Sequence, residues 1–228
     1  MAAQNAAADS LPAEIAVFPL TGALLLPHGR LPLNIFEPRY LAMVEDALAN
    51  GRVIGIVQPS PQQAAGPHGP GLYSIGCMGR ITSFSEADDG RFLITLSGMT
   101  RFTIMEELPS RRGYRRVRAD LAPFAGDLDL QGGGAGFDRM ELLASLRSYF
   151  QRRGFDANWD AIDQMEDEPL VVTLAMVCPF EPAEKQALLE ADTPADRAQT
   201  LMALLQIDAY SPDSDADRDK PGGRPRAS

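Results

Sequence analysis

The spacing of apolar and polar positions changes within residues 31–51, and this change predicts a strand followed directly by a helix. Leu31, Leu33 and Ile35 alternate with other residues, and because side chains alternate along a strand they fall on one face. A second short run, residues 53–57, is apolar and β-branched without interruption, which predicts a buried strand.

The helix is predicted to begin at Glu37 or Pro38, because proline suits the first helical turn, where its missing N–H costs nothing. Asn50 and Gly51 predict its end, since glycine adopts a left-handed backbone without strain. Spacings of three and four residues predict one apolar stripe on this helix, formed by Leu41, Val44, Ala47 and Leu48.

The first half of the chain otherwise consists of short apolar runs separated by turn residues. We predict strands at residues 15–20, 73–84, 91–96, 101–106 and 115–122, with turns at Asp88-Asp89-Gly90 and at residues 97–100. Strands in such close succession favour a meander that closes into a barrel, because closure removes exposed sheet edges.

Beyond a Gly-rich stretch, the pattern becomes helical. We predict five helices, which end or begin at Gly154, at Asp156 or Asn158, at Asp167 with Pro169, at Pro182, and at Thr193 with Pro194. The expected organisation is a disordered N-terminus at 1–12, a β-barrel subdomain at 13–124, a Gly-rich linker at 125–136, a helical subdomain at 137–208 and a disordered tail at 209–228.

Charge separates the two halves of this protein, which has a net charge of −10. Residues 137–210 carry −8, from 6 basic and 14 acidic residues, which disfavours binding of nucleic acid there. The first residues lack the basic and apolar regions of a signal peptide, and no apolar run is long enough to span a bilayer, so we expect a cytoplasmic protein.

Residues that could carry chemistry do not converge on a site in the sequence. Cys77 and Cys178 lie in apolar surroundings without other ligands at metal-binding spacing, so we interpret them as buried free thiols. His28 and His68 have no partner that would make either a general base, and Glu166-Asp167-Glu168 is typical of a helix N-terminus. We therefore expect no enzyme activity, no metal and no cofactor.

Two groups of residues are candidates for binding. Phe36, Glu37, Arg39 and Tyr40 bring aromatic and charged groups together at the strand-to-helix junction, where they serve either a peptide ligand or the packing and capping of the helix. The second group is a basic patch, which is either a hairpin edge guarded by charge or a site for an acidic partner or RNA; its members are Arg111, Arg112, Arg115, Arg116 and Arg118.

The run Leu-Pro-Leu-Asn-Ile-Phe-Glu-Pro-Arg-Tyr at residues 31–40 resembles the amino-terminal, substrate-binding domain of Lon proteases. Residues 18–20, 26–28, 75–81 and 97–102 and the Lys185-Gln186 pair extend the resemblance to roughly residues 13–208. It implies an α+β fold, a PUA-like β-barrel followed by a C-terminal helical bundle. In full Lon proteases, an ATPase module and a Ser-Lys catalytic pair follow this domain. Because this sequence ends before either could begin, we expect a stand-alone bacterial form of the domain.

The resemblance implies a non-catalytic module that binds unfolded or extended polypeptide, or a specific protein partner such as a protease or ATPase, in protein quality control. The alternative is an RNA-binding PUA-like protein that uses the basic patch between Arg111 and Arg118. Nucleic acid is disfavoured as a partner by the acidic charge, and we expect no membrane partner because no apolar run is long enough to span a bilayer.

Overall fold

The fold is known from a computed structural model that describes residues 11–128 and 136–210. Its strands are β1 (Glu14–Pro19), β2 (Arg30–Ile35), β3 (Val53–Val57), β4 (Ile75–Glu86), β5 (Phe92–Arg111) and β6 (Tyr114–Asp120). Its α-helices are α1 (Pro38–Ala49), α2 (Arg139–Arg153), α3 (Trp159–Gln164), α4 (Asp167–Val177), α5 (Pro182–Glu190) and α6 (Pro194–Tyr210). A 3₁₀ segment, Ala122–Leu128, lies between β6 and α2.

Five of the strands close into a barrel. The sheet runs in the order β2-β5-β4-β3-β1-β6, and an additional pairing of β6 with β5 closes a ring of β5, β4, β3, β1 and β6. β1 and β3 are parallel, and the other pairs are antiparallel. β2 lies outside this ring and pairs with the first half of β5. The α+β class and the barrel followed by helices are thus confirmed.

The predicted turn at residues 97–100 is wrong, because these residues lie inside the continuous strand β5. Gly98 is required there for close packing instead: a Cβ at this position would overlap the carbonyl oxygen of Leu26. The N–H of Gly98 donates to the carbonyl of Gly29 at 2.8 Å, and the N–H of His28 donates to the carbonyl of Gly98 at 3.1 Å. A glycine that permits a close backbone approach therefore gave a false turn signal.

The helix α1 begins at Pro38 and ends at Ala49, as predicted, and Gly51 has a φ of 74°. Its buried face differs by about one position from the predicted stripe. Leu41 and Leu48 are only half-buried, and the fully buried residues are Tyr40, Ala42, Met43, Val44 and Ala47.

The helix boundaries in the second half match the prediction closely. Gly154 has a φ of 65° at the end of α2, and the side chain of Asn158 accepts an N–H at the start of α3. Thr193 caps α6 by accepting the N–H of Asp196 at 3.1 Å. The apolar helix α4 buries one side, with Leu170, Val171, Val172, Leu174 and Ala175 in the core, whereas its last residue, Val177, is 71% exposed.

A buried arginine joins the barrel to the helices. Arg101 on β5 pairs with Asp127 at 2.9 Å, and the two side chains are only 5% and 11% exposed. The same guanidinium donates to the last carbonyls of α5 and the turn after it, those of Leu189, Ala191 and Asp192. The first part of the expected linker, residues 125–128, is thus held in the 3₁₀ segment.

At its other end, α5 is held to the barrel by Lys185 and Gln186. The ammonium of Lys185 donates to the carbonyl of Gly22 at 2.8 Å, and Gln186 donates to the carbonyl of Ile75 at 3.1 Å. Residues 129–135 and nearly all of the expected disordered segments 1–12 and 209–228 lie outside the described residues. Within the described part, no helix is long and apolar enough to cross a membrane.

Candidate functional site

The candidate residues at the junction of β2 and α1 divide between surface and core. Phe36 is 65% exposed, an unusual state for a phenylalanine, whereas Tyr40 is 6% exposed. The ring of Tyr40 packs against Phe18 with centroids 4.1 Å apart, and burial raises the pKa of its hydroxyl above the usual value. Only Phe36 among these aromatic side chains is therefore open to a ligand.

The charged pair at this junction is held locally. Glu37 occupies the N-cap position of α1, and its Oε2 lies 2.8 Å from Nη2 of Arg39. The guanidinium of Arg39 also lies over the Tyr40 ring, 4.5 Å from its centroid. Both charged side chains stay partly exposed, so they form a polar rim between Phe36 and the rest of α1.

Phe36 continues an open sheet surface that the sequence did not reveal. β2 pairs with β5 on one side, and on the other side no strand of the described residues pairs with it. The cross-strand register places uncharged residues together on its solvent-facing side, which we call the outer face: Pro32, Asn34, Ser83, Ser85, Leu93 and Thr95. These six residues are uncharged, and the next row of the same face carries Arg30 and Arg80 at one end.

The face of β2 opposite the outer face is apolar, but its side chains are only partly covered by other residues. Leu31 and Leu33 are half-buried, whereas their partners on β5, Leu96 and Ile94, are fully buried. This difference is what an edge strand shows when it has no neighbour on its outer side. The apolar layer of the sheet therefore ends at β2.

The basic patch is electrically neutralised by neighbouring carboxylates. Arg115 is only 7% exposed and forms a bidentate pair with Glu107 at 2.7 and 2.8 Å. The other pairs are Arg111 with Asp46, Arg112 with Glu45 and Asp46, Arg116 with Glu14, and Arg118 with Glu14 and Glu106. Five arginines facing five carboxylates do not form the cationic surface that a phosphate backbone requires.

A cleft of about 160 Å³ lies beside this patch, between α1, β1 and β6. On its wall, the hydroxyl of Tyr114 donates to Oδ2 of Asp46 at 2.7 Å. This hydrogen bond and the nearby arginines hold the pKa of Asp46 below its usual value, while burial and the same carboxylate raise the pKa of Tyr114 to about 12. The pair fastens the β5–β6 hairpin to α1.

The thiols and histidines are not gathered into a reactive site. Burial raises the pKa of the Cys77 thiol, and it raises that of Cys178 to about 12, so both remain protonated at neutral pH. His28 is exposed with a φ of 65°, and its backbone N–H makes the contact with β5 described above. Among the described residues, no group of three or more His, Cys, Asp and Glu is arranged to hold a metal ion.

Residues 14–206 match the sequence profile of a family described as the substrate-binding domain of ATP-dependent protease La (LON). The chain belongs to this family. The Lon protease of Anaeromyxobacter dehalogenans is 26% identical over 112 residues, which are 49% of this chain and 13% of that protein. The Lon protease of Cytophaga hutchinsonii is 22% identical over 210 residues, or 88% of this chain and 25% of that protein.

Solved structures of Lon amino-terminal domains share the fold. A Lon N-terminal domain protein from Xanthomonas campestris superposes with a TM-score of 0.55 at 21% identity, covering 84% of this chain and 98% of that one. The N-terminal domain of a Mycobacterium avium complex Lon protease gives 0.56 at 17% identity, covering 85% and 98%. The chain thus matches whole amino-terminal domains but only 13% to 25% of the full Lon proteases compared above.

Proposed function

We propose that the protein is a non-catalytic, cytoplasmic module that binds unfolded or extended polypeptide and serves protein quality control or proteolysis. The observation that carries this proposal is the match of residues 14–206 to a family of substrate-binding domains. The open surface around β2 supports it, since Phe36 is 65% exposed beside the six uncharged residues of the outer face. Exposed apolar surface with a polar rim is typical of sites that bind other polypeptides.

The charge distribution supports polypeptide rather than nucleic acid as the ligand. The arginines of the basic patch are paired with carboxylates, and the helical half carries −8. An apolar contact made by Phe36 does not release counterions, so we expect binding to depend weakly on salt.

The test is a titration of the protein into a fluorescently labelled, permanently unfolded polypeptide, followed by anisotropy at low and moderate salt. We expect saturable binding that changes little with salt. Phe36→Ala should weaken it roughly tenfold to a hundredfold, because burial of a phenylalanine ring contributes roughly 1.5–3 kcal/mol. The matched control is Met105→Ala, which removes another exposed apolar side chain, 62% exposed, from the second half of β5.

Two results would count against the proposal. Absence of binding at any salt concentration would remove the polypeptide-binding function. Equal losses in Phe36→Ala and Met105→Ala would show that binding is a general property of exposed apolar residues and does not involve the junction of β2 and α1.

A further inference from the structure

We infer that the open edge of β2 is the binding site itself, and that an extended polypeptide pairs with it as an added strand. This inference rests on the proposed polypeptide-binding function. β2 is hydrogen-bonded to β5 along residues 30–35, and its other edge has no partner strand among the described residues. A row of free backbone N–H and C=O groups is matched by the backbone of another extended chain, which presents the same groups at the same spacing.

The apolar side of β2 indicates which side chains the added strand should carry. Leu31 and Leu33 are half-buried although Leu96 and Ile94 beside them are fully buried. A strand added next to β2 would place every second side chain over these two leucines. The ligand is therefore a segment in which apolar and small polar residues alternate. Its apolar side chains cover Leu31 and Leu33, and its polar side chains extend the outer face.

Charge at one end of β2 gives the ligand an orientation. Arg30 and Arg80 share one cross-strand row through Ser97, and Arg30 is exposed. Among the described residues, no carboxylate lies within ion-pair distance of Arg30. One acidic residue, Glu86, lies at the opposite end of the same strands, in the cross-strand row that it shares with Phe92 and Ile35. The complementary ligand carries an acidic residue at the end that reaches Arg30.

Pro32 limits how the added strand pairs. Proline has no N–H to donate, and within sheets it is accommodated at edge strands where its nitrogen faces away from the neighbour. Pro32 lies opposite Thr95 in the middle of β2, and because it has no N–H to give to the β5 ladder, its nitrogen is accommodated at the open edge. The incoming chain finds acceptors along the whole edge but lacks one donor at the centre. This gap weakens the site and keeps the edge from associating freely with other sheets.

The experiment uses the full chain and a fluorescein-labelled peptide of alternating Val and Thr with a pair of Glu residues at one end, made with the acidic pair at either terminus. Two analogues are N-methylated at alternate residues, so that each has lost the donors of one strand edge only. We expect one analogue to bind about tenfold more weakly and the other to bind like the parent peptide. Equal binding of both analogues and the parent would overturn strand addition.

Two substitutions in β2 of the protein test the same strand pairing. Pro32→Thr restores the missing donor and should tighten binding about threefold to tenfold. Arg30→Glu should weaken binding of the acidic peptide by up to about fivefold and favour a peptide with Lys in place of Glu. Unchanged affinities in both variants would place the ligand elsewhere.

The outcomes separate this inference from the proposed function. If the unfolded polypeptide binds and the designed peptide does not, the polypeptide-binding function stands and strand addition at β2 is overturned. If neither binds, both fail. A second copy of the chain on this edge would appear in sedimentation as a dimer that the peptide cannot dissociate, and this result would also overturn the inference.

Discussion

Replacing Arg101 by alanine should destabilise the whole protein, because this buried side chain links the barrel to the end of α5 in the helical half. Its guanidinium pairs with Asp127 and donates to the carbonyls of Leu189, Ala191 and Asp192. The truncation would leave a nearly buried carboxylate without its partner and the end of α5 without its donor. Removal of one member of a buried ion pair costs about 3–5 kcal/mol.

For a chain of this length, each kcal/mol lowers the melting temperature by about 2–4 °C, so the expected decrease is roughly 6–20 °C. Urea unfolding followed by far-ultraviolet circular dichroism measures the free energy directly. Arg91→Ala is the matched control, because Arg91 pairs with Asp89 at 2.7 Å but both side chains are about half exposed. An exposed pair of this kind contributes less than about 1 kcal/mol.

The reasoning would be refuted if Arg101→Ala cost no more than Arg91→Ala. A double variant, Arg101→Met with Asp127→Leu, should recover part of the loss, because apolar side chains in place of both charges remove the penalty of an unpaired buried carboxylate. A double variant as unstable as Arg101→Ala would mean that the donors to the carbonyls after α5 matter more than the ion pair.

Three further predictions follow from the fold. Gly98→Ala should lose about 1–3 kcal/mol in urea unfolding, because its Cβ would overlap the carbonyl of Leu26; an unchanged midpoint would contradict this. The folded pKa of Asp46 is depressed, so its contribution to stability is full above the unfolded pKa and is lost as pH falls through the lower folded pKa. Asp46→Asn should therefore lower stability near neutral pH and flatten its decline toward acid pH, and an unchanged pH profile would exclude the interaction. Both thiols should resist a thiol reagent until the protein unfolds, since Cys77 and Cys178 are buried; labelling under native conditions would refute this.

Local signals in the sequence were sufficient to predict the bounds of elements whose ends are marked by a proline or a glycine. Pro38 and Gly51 mark the ends of α1 because each residue has a backbone preference that acts locally. At Gly98 the same kind of signal misled, since the glycine is required by a contact with Leu26 that is distant in sequence. No local pattern distinguishes a glycine needed for a turn from one needed for a close approach.

The candidate site was only partly predictable for the same reason. Phe36 and Tyr40 are four residues apart, and only the packing against Phe18 shows that Tyr40 belongs to the core. The partners that neutralise the basic patch are remote: Asp46 is 66 residues from Arg112, and Glu14 is 102 residues from Arg116.

The open edge of β2 depends on the pairing of all six strands, which no single segment specifies. Leu31, Leu33 and Ile35 correctly predicted a strand with one apolar face, but their spacing carries no information on whether a neighbour lies on either side. The edge position becomes visible only in the order of the assembled sheet.

The most direct test of polypeptide binding at β2 is hydrogen exchange of the backbone amides, with and without a saturating unfolded polypeptide. The outward-facing amides of Arg30 and Asn34 should become protected on binding, together with the region of Phe36. Amides in the helical half should be unchanged. Saturable binding that protects the cleft between α1 and β6, or the helices, and leaves β2 unprotected would contradict the account.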